Sequence, residues 1–412
     1  MSTANRLSLF WFIYFAGFGV YFPYFSLYLR ENAALSGSEV GLVLAVPPLI
    51  GVLLQPAWGQ LADRSGERAR VLVVATFGAA LGFAVLGVAD GFAQLAAATA
   101  LLAVFATPAV PLASSVTLAL TESGGAHAFG RVRMWGTVGF LLLVVAFPAI
   151  LDGWHRGRGV IDVAGGASEP GLGLMFTTIA ILMLLAALVG ATLPRTGTIA
   201  ARARRHEWRR LLRHPPMRSL AIYCLLAHVF LQGPMALFPV FVTARGGTIE
   251  TVGWMWVVML TIEIPLVAYA GAWVHRLGAH GLLRVGVLVG GLRWLVCATS
   301  DDPWILFAVQ SVHAVTVLGL MLGAPLYLEQ IVPARLRSTG QAVLAVVGAG
   351  VGGVVSTTAS GWFLEHLGVD GPYVIGGAGA VLLGLAGRKL LPPPVKLRLP
   401  DDEPEPVRAS PV

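Results

Sequence analysis

Twelve apolar stretches, most of them about 20 residues long, follow one another along this chain with only short polar turns between them. A helix of that length crosses the hydrocarbon core of a bilayer, and hydrocarbon admits only helices and closed barrels as spanning structures. The stretches predict spans at 8–29, 40–61, 71–89, 93–120, 132–151, 172–193, 220–242, 252–274, 282–299, 304–327, 340–364 and 373–391. With 56% hydrophobic and 12% charged residues, the chain has too little charge to coat a water-exposed surface. The expected fold class is an all-α polytopic membrane protein with 12 transmembrane helices.

The charges that exist are placed by side. The turn 59–70, GQLADRSGERAR, is wedged between the second and third runs and is too charged to lie in hydrocarbon. With this turn inside, 23 of the 28 Lys and Arg residues fall on the cytoplasmic face and four on the other. That asymmetry places both termini in the cytoplasm, as for a bacterial-type inner (plasma) membrane protein. The net charge of +7 is thus a topology signal rather than a nucleic-acid surface. Cys224 and Cys297 both fall within apolar runs, which leaves no disulfide framework and no metal cluster to expect. The first run is long, aromatic and without a small-residue cleavage site, unlike a removable signal.

The segment 194–218 carries eight cations and is the one long cytoplasmic loop. It divides the chain into a first six-helix bundle at 1–193 and a second at 219–391, with 392–412 as a proline-rich and acidic disordered tail. The loop reads as a linker lying on anionic headgroups. The halves echo each other. Gly59, Asp63, Arg64 and Gly66 recur in spacing as Gly271, His275, Arg276 and Gly278, and Arg131, Arg133 and Gly136 recur as Arg335, Arg337 and Gly340. Duplicated units around a midplane site are the architecture of secondary transporters.

A 6+6 layout with this turn between spans 2 and 3 resembles the major facilitator superfamily. A narrower likeness rests on FGRVRMWGTVGF (129–140), VGWMWVVMLTIEI (252–264), GLRWLVCATS (291–300) and QSVHAVTV (310–317). These segments are similar to the phenylpropionate permease family, near the lactose permease and nucleoside symporter groups. The resemblance implies a rocker-switch importer with no cofactor, driven by the proton gradient. Its partners are protons, a small-molecule substrate and the lipid bilayer, with no nucleic acid, and a monomer is expected.

Three ionisable residues lie inside spans, where a charge costs about 2.5–3.5 kcal/mol and therefore marks a pathway or a partner. Glu263 is about 16 Å into its helix, Arg293 about 9 Å and His313 about 14 Å from the outer face. Glu263 and Arg293 are expected to neutralise each other, with Glu263 and His313 coupling protons. Arg133 stands at the cytoplasmic end of its run by hydropathy. The resemblance implies instead that it reaches the substrate, with Arg131 left at the face. An Arg fork suits a carboxylate or a pair of sugar hydroxyls. Where the lactose permease group has an acid partner for this Arg, the chain has Ser114 or Ser115, and Thr316 replaces another acid. That departure disfavours a galactoside and frees Arg133 for an anion. Tyr14, Tyr21, Trp254 and Trp294, with Gln55 and Gln232, are expected to line an apolar pocket with a few polar anchors, and Pro23 to bend the first helix.

Gating is expected of the charged turns. Asp63 is expected to cap the third helix and to pair with Arg64 or Arg68, with Gly59 and Gly66 shaping the turn. Arg276 marks a weaker second copy, reinforced by Glu329, Arg335 and Arg337. The expected function is proton-coupled import of a small organic acid, an aromatic carboxylate by preference. A nucleoside or oligosaccharide symporter is the alternative. A drug–proton antiporter is disfavoured because the fifth run lacks a glycine–proline series. An enzyme is disfavoured because no nucleophile elbow, phosphate loop or paired-acid site lies near a membrane face.

The topology is open to direct test. In a variant with Cys224 and Cys297 replaced by serine, a cysteine at Asp301 is expected to react with an impermeant maleimide on intact cells, and one at Ser65 only after lysis. The reverse pattern overturns the orientation.

Overall fold

A computed structural model describes residues 1–121, 125–158, 170–194, 211–333, 336–392, 394–395 and 397. Twelve helices in it are long and apolar enough to span a bilayer. We label them α1 (Thr3–Asn32), α2 (Gly37–Ser65), α3 (Arg68–Leu86), α4 (Gly91–Leu120), α5 (Ala128–Gly157) and α6 (Leu174–Ala191). The second set is α7 (Pro215–Ala236), α8 (Ile249–Val267), α9 (Ala270–Thr299), α10 (Pro303–Ile331), α11 (Arg337–Leu367) and α12 (Gly371–Leu390). In the first bundle α1 packs on α5 and α6, α3 on α4 and α6, and α2 on α4. In the second, α9 packs on α12, and α7 on α11 and α12.

Small residues let these helices touch at the backbone, the usual way helices pack where lipid removes any hydrophobic preference between them. At the α1–α5 crossing, a Cβ on Gly19 would lie 2.4 Å from the Phe140 carbonyl oxygen, and one on Gly139 would lie 2.2 Å from that of Phe12. This close approach brings the start of α5 against the aromatic face of α1.

Several helices are interrupted. Pro23 removes a backbone donor, and α-helix gives way at Tyr21 before resuming at Phe25, the bend expected there. In α10 a 3-10 turn covers Gln310–Val312 and a π-turn Gly319–Gly323, and in α11 a π-turn covers Val346–Gly352. The repeat read in the sequence has a backbone basis. Gly66 ends α2 at φ 65° and Gly278 breaks α9 at φ 66°, both in the left-handed region that a side chain resists.

The two bundles meet at the end that holds Ser36. There α2 crosses α11 so closely that a Cβ on Gly41 would lie 2.5 Å from the Thr357 carbonyl oxygen and one on Gly361 2.4 Å from that of Gly37. The backbone N–H of Ser38 donates to Glu365 at 2.8 Å, and the Thr243 hydroxyl to Glu31 at 3.3 Å. Gly253 of α8 seats against the Val144 carbonyl of α5. At the opposite end, the ion pairs Asp63–Arg68, Glu67–Arg70 and Glu329–Arg337 each stay within one bundle.

Two readings at the chain's polar segments change. Residues 195–210 of the linker lie outside the described residues, and α7 begins at Pro215, within the stretch 194–218 read as linker. The tail is not disordered from its first residue. Tyr327 donates to the Pro392 carbonyl, the Leu397 N–H donates to Ile331 at 2.8 Å, and His214 Nε2 meets the Val395 carbonyl at 2.8 Å. Leu397 packs on the core, and the rest of the stretch read as disordered, 398–412, lies outside the described residues.

The α2–α11 crossing makes a prediction. A side chain at Gly41 has no room, so Gly41→Leu is expected to part the bundles at the Ser36 end. Spin labels at Ser38 and His366 are expected to report a longer, broader distance, and an unchanged distance would show that this crossing does not hold the end shut.

Candidate functional site

The second bundle holds a guanidinium with almost no access to solvent. Arg293, on α9, is 2% exposed. Its Nε donates to Gln310 Oε1 at 3.0 Å, Nη2 donates to the same oxygen, and Nη1 donates to His313 Nδ1 at 2.9 Å. The sulfurs of Met235 and Met259 lie at 3.7–3.9 Å, and the Trp294 ring covers the cation at 4.0 Å. Among the described residues no carboxylate pairs with it. The expected Glu263–Arg293 pair is therefore not formed. Gln310 occupies the donors, and Glu263 lies four residues beyond Met259 on α8, about one turn further along. Glu263 is half-buried and makes no bond among the described residues.

The break in α10 builds this arrangement. At the 3-10 turn the Gln310 N–H bonds to Phe307 and Ala308 rather than to Leu306. The freed Leu306 carbonyl accepts from Gln310 Nε2 at 2.7 Å, which fixes the amide with its oxygen toward Arg293. An arginine only donates, so His313 Nδ1 is the acceptor and its proton sits on Nε2. Gln310 was not among the residues singled out from the sequence. A fully buried amide in an apolar run, three residues before His313, was the signal available.

The first bundle presents its cation differently. Arg133 of α5 is half-buried over two neighbouring rings of α1, 4.6 Å from Trp11 and 4.2 Å from Phe15. Gly136, one turn on, leaves room for this, since a Cβ there would meet Arg133 Nη1 at 2.8 Å. Trp11 is held in turn by Nε1–H donating to Thr117 at 2.9 Å. Arg133 also makes no ion pair among the described residues, as its sequence context implied. With both rings on one side of it, the guanidinium keeps its other side and its N–H edge for a ligand.

Trp256 connects the two bundles. Its ring packs on Phe22 of α1, on Phe140 of α5 and on His313 of α10, at 5.6, 5.5 and 6.5 Å. Trp254, the residue expected here, is 46% exposed and bonds only Glu250 in the first turn of α8. Two residues along a helix turn about 200°, so only one of this pair can face inward.

A family description, the MFS_1 like family, matches residues 4–373. The chain belongs to that family. Members of this transporter family are not enzymes, and the chain is a permease. It is 30% identical over 372 residues to the maltose permease of Geobacillus stearothermophilus, covering 89% of each chain. It is 26% identical over 386 residues to a probable 3-phenylpropionic acid transporter of Escherichia coli, covering 89% of this chain and 93% of that one. Among solved structures, the nucleoside transporter NupG aligns with a TM-score of 0.81 at 15% identity, over 95% of this chain and 99% of that one. A D-xylose–proton symporter aligns at 0.66 with 17% identity, over 94% and 97%. These two share the fold.

The remaining expected residues of this MFS_1-like permease divide. Trp294 is buried under Arg293 and packs on Phe238 and Tyr373. Tyr14 is buried among Phe10, Phe15 and Phe18 with its hydroxyl unpartnered, but Tyr21 packs inward on Phe83 of α3, away from Arg133. Gln55 ties α2 to the Thr107 carbonyl of α4 at 3.2 Å, and Gln232 lies against Gly353 of α11. Asp63 pairs with Arg68 at 2.8 Å but caps nothing, because α2 runs on to Ser65 and Glu67 is the residue before α3. Arg64, Arg131 and Arg276 are exposed, and Gly59 has open space where a Cβ would stand. Arg335 lies outside the described residues; Arg337 pairs with Glu329 at 3.7 Å.

Removing the neutral partner of a buried cation leaves donors unmet. Gln310→Leu is expected to cost about 3 kcal/mol in reversible detergent unfolding. A loss below about 1 kcal/mol would show that Arg293 finds an equivalent partner elsewhere.

Proposed function

We propose that this permease imports a small organic anion together with protons, holding the anion between Arg133 and Arg293. The observation that carries this reading is that both cations lack a carboxylate partner among the described residues, while Glu263 is the one acid deep within a described span. A substrate carboxylate supplies the missing charge, and the rings of Trp11, Phe15 and Trp256 favour an apolar or aromatic body. Glu263, unpaired, takes up and gives back a proton without breaking an ion pair, and His313 relays it or orients Arg293. The likeness to the 3-phenylpropionic acid transporter supports the same class.

An oligosaccharide is the second reading. The likeness to maltose permease favours it. So does Arg133, since a guanidinium framed by aromatic rings also suits a pyranose with its hydroxyl pairs.

In either case the closed Ser36 end and the unlatched Asp63 end support an inward-facing state. With the Arg-rich turns in the cytoplasm of a bacterial inner membrane, the site opens to the cell interior. Gly59 and the Asp63–Arg68 pair then meet the second bundle when that end closes.

Uptake into energised vesicles separates the readings. Labelled aromatic acids are expected to accumulate and to compete with one another, while maltose accumulation without acid uptake would replace the first reading with the second. Glu263→Gln is expected to abolish gradient-driven uptake and keep substrate exchange. Normal accumulation by this variant would remove Glu263 from the coupling step.

A further inference from the structure

A second unpaired cationic cluster lies far from Arg133 and Arg293, where α9 and α12 reach the Asp63 end of the second bundle. Arg284 of α9 lies along α12 at Gly387, where a Cβ would meet its Cγ at 2.7 Å and its Nε at 3.1 Å. That Nε is buried and has no partner. His280, one turn earlier on the same face, has its Nε2 buried without a partner. Its ring lies 6.3 Å from Tyr327, beside the backbone of Gly387 and Leu391. Tyr223 of α7, 1% exposed, has an unpartnered hydroxyl within electrostatic reach of Arg284. Arg388 is within reach of His280, and Lys389 follows it; both are exposed. Among the described residues no acid pairs with any of these groups.

Two arginines and a histidine crowded together repel unless an anion joins them. Their position selects its source. They occupy the turn of α9 after Gly278 and the last turn of α12, the level of the headgroups. Towards the bilayer, Leu385 and Leu382 of α12, one and two turns before Arg388 and Lys389 on the outer flank of the helix, are 60% and 67% exposed, a surface for acyl chains beside the charges. A soluble phosphate would not need that surface.

We propose that this cleft between α9 and α12 binds the phosphodiester headgroup of an anionic phospholipid, with Arg284, His280 and Arg388 donating to its oxygens and Leu382 and Leu385 against its chain. Basic pockets between spans are a recurrent form of lipid recognition. The site is independent of which solute the permease carries.

The test is thermal unfolding of the purified full-length protein in detergent, titrated with phosphatidylglycerol, phosphatidylcholine or inorganic phosphate. Phosphatidylglycerol is expected to raise the midpoint at about tenfold lower concentration than phosphatidylcholine, and the Arg284→Gln/Arg388→Gln variant to erase that preference. Equal titrations of the variant and the wild type overturn the proposal, as does an equal shift with inorganic phosphate. Should the double variant not purify as a single species, Arg388→Gln alone decides. Arg388 is exposed and bonds nothing among the described residues. A loss of preference is expected, and an unchanged preference overturns the site.

Discussion

Keeping Arg293 charged inside a membrane span is the demand around which the second bundle is built. An isolated cation there would be expelled or would drag in water. The chain meets the cost with neutral groups: an amide oxygen, an imidazole nitrogen, two sulfurs and an indole face. Each depends on a local feature of another helix. Gln310 needs the 3-10 turn of α10, and Trp294 needs Phe238 and Tyr373 behind it. The result is a solvated-like shell without counter-charge among the described residues.

The two ends of the molecule close by different physics. At the Ser36 end glycines bring backbones into contact across the bundles, a short-range interaction that is either made or lost. At the Asp63 end the ion pairs among the described residues each lie within one bundle, so separating the bundles leaves none of them broken. Trp256 stands between, touching α1, α5 and α10. It is a single ring in contact with both bundles, next to the histidine that accepts from Arg293.

The twelve spans and the repeat could be read directly, because hydrophobic length and positive-φ glycines leave periodic marks on a sequence. Arg293 and His313 stood out as well, since a charge in an apolar run needs a reason, whereas Arg133, at the end of its run, stood out only through the resemblance of FGRVRMWG to related permeases. Their partners could not be read. Whether Arg293 meets Glu263 or Gln310 depends on one turn of register between α8 and α10. No spacing within one helix encodes it. The choice between Trp254 and Trp256 turned on the rotation of α8 about its own axis. Tyr21 was misread for the same reason: a helix aromatic on all sides does not announce which side faces a cavity. At the start of the tail, composition did not announce the three contacts that Pro392, Val395 and Leu397 make.

Those three contacts have a mechanical meaning. Pro392 and Leu397 fasten the end of α12 to α10 through Tyr327 and Ile331, and Val395 fastens it to the segment before α7 through His214. A pull arriving along the connection from the first bundle is therefore shared among α7, α10 and α12 rather than peeling α7 away. The second bundle is stapled at its foot into a lever with one fulcrum, and a fusion or truncation placed before Leu397 cuts the staple.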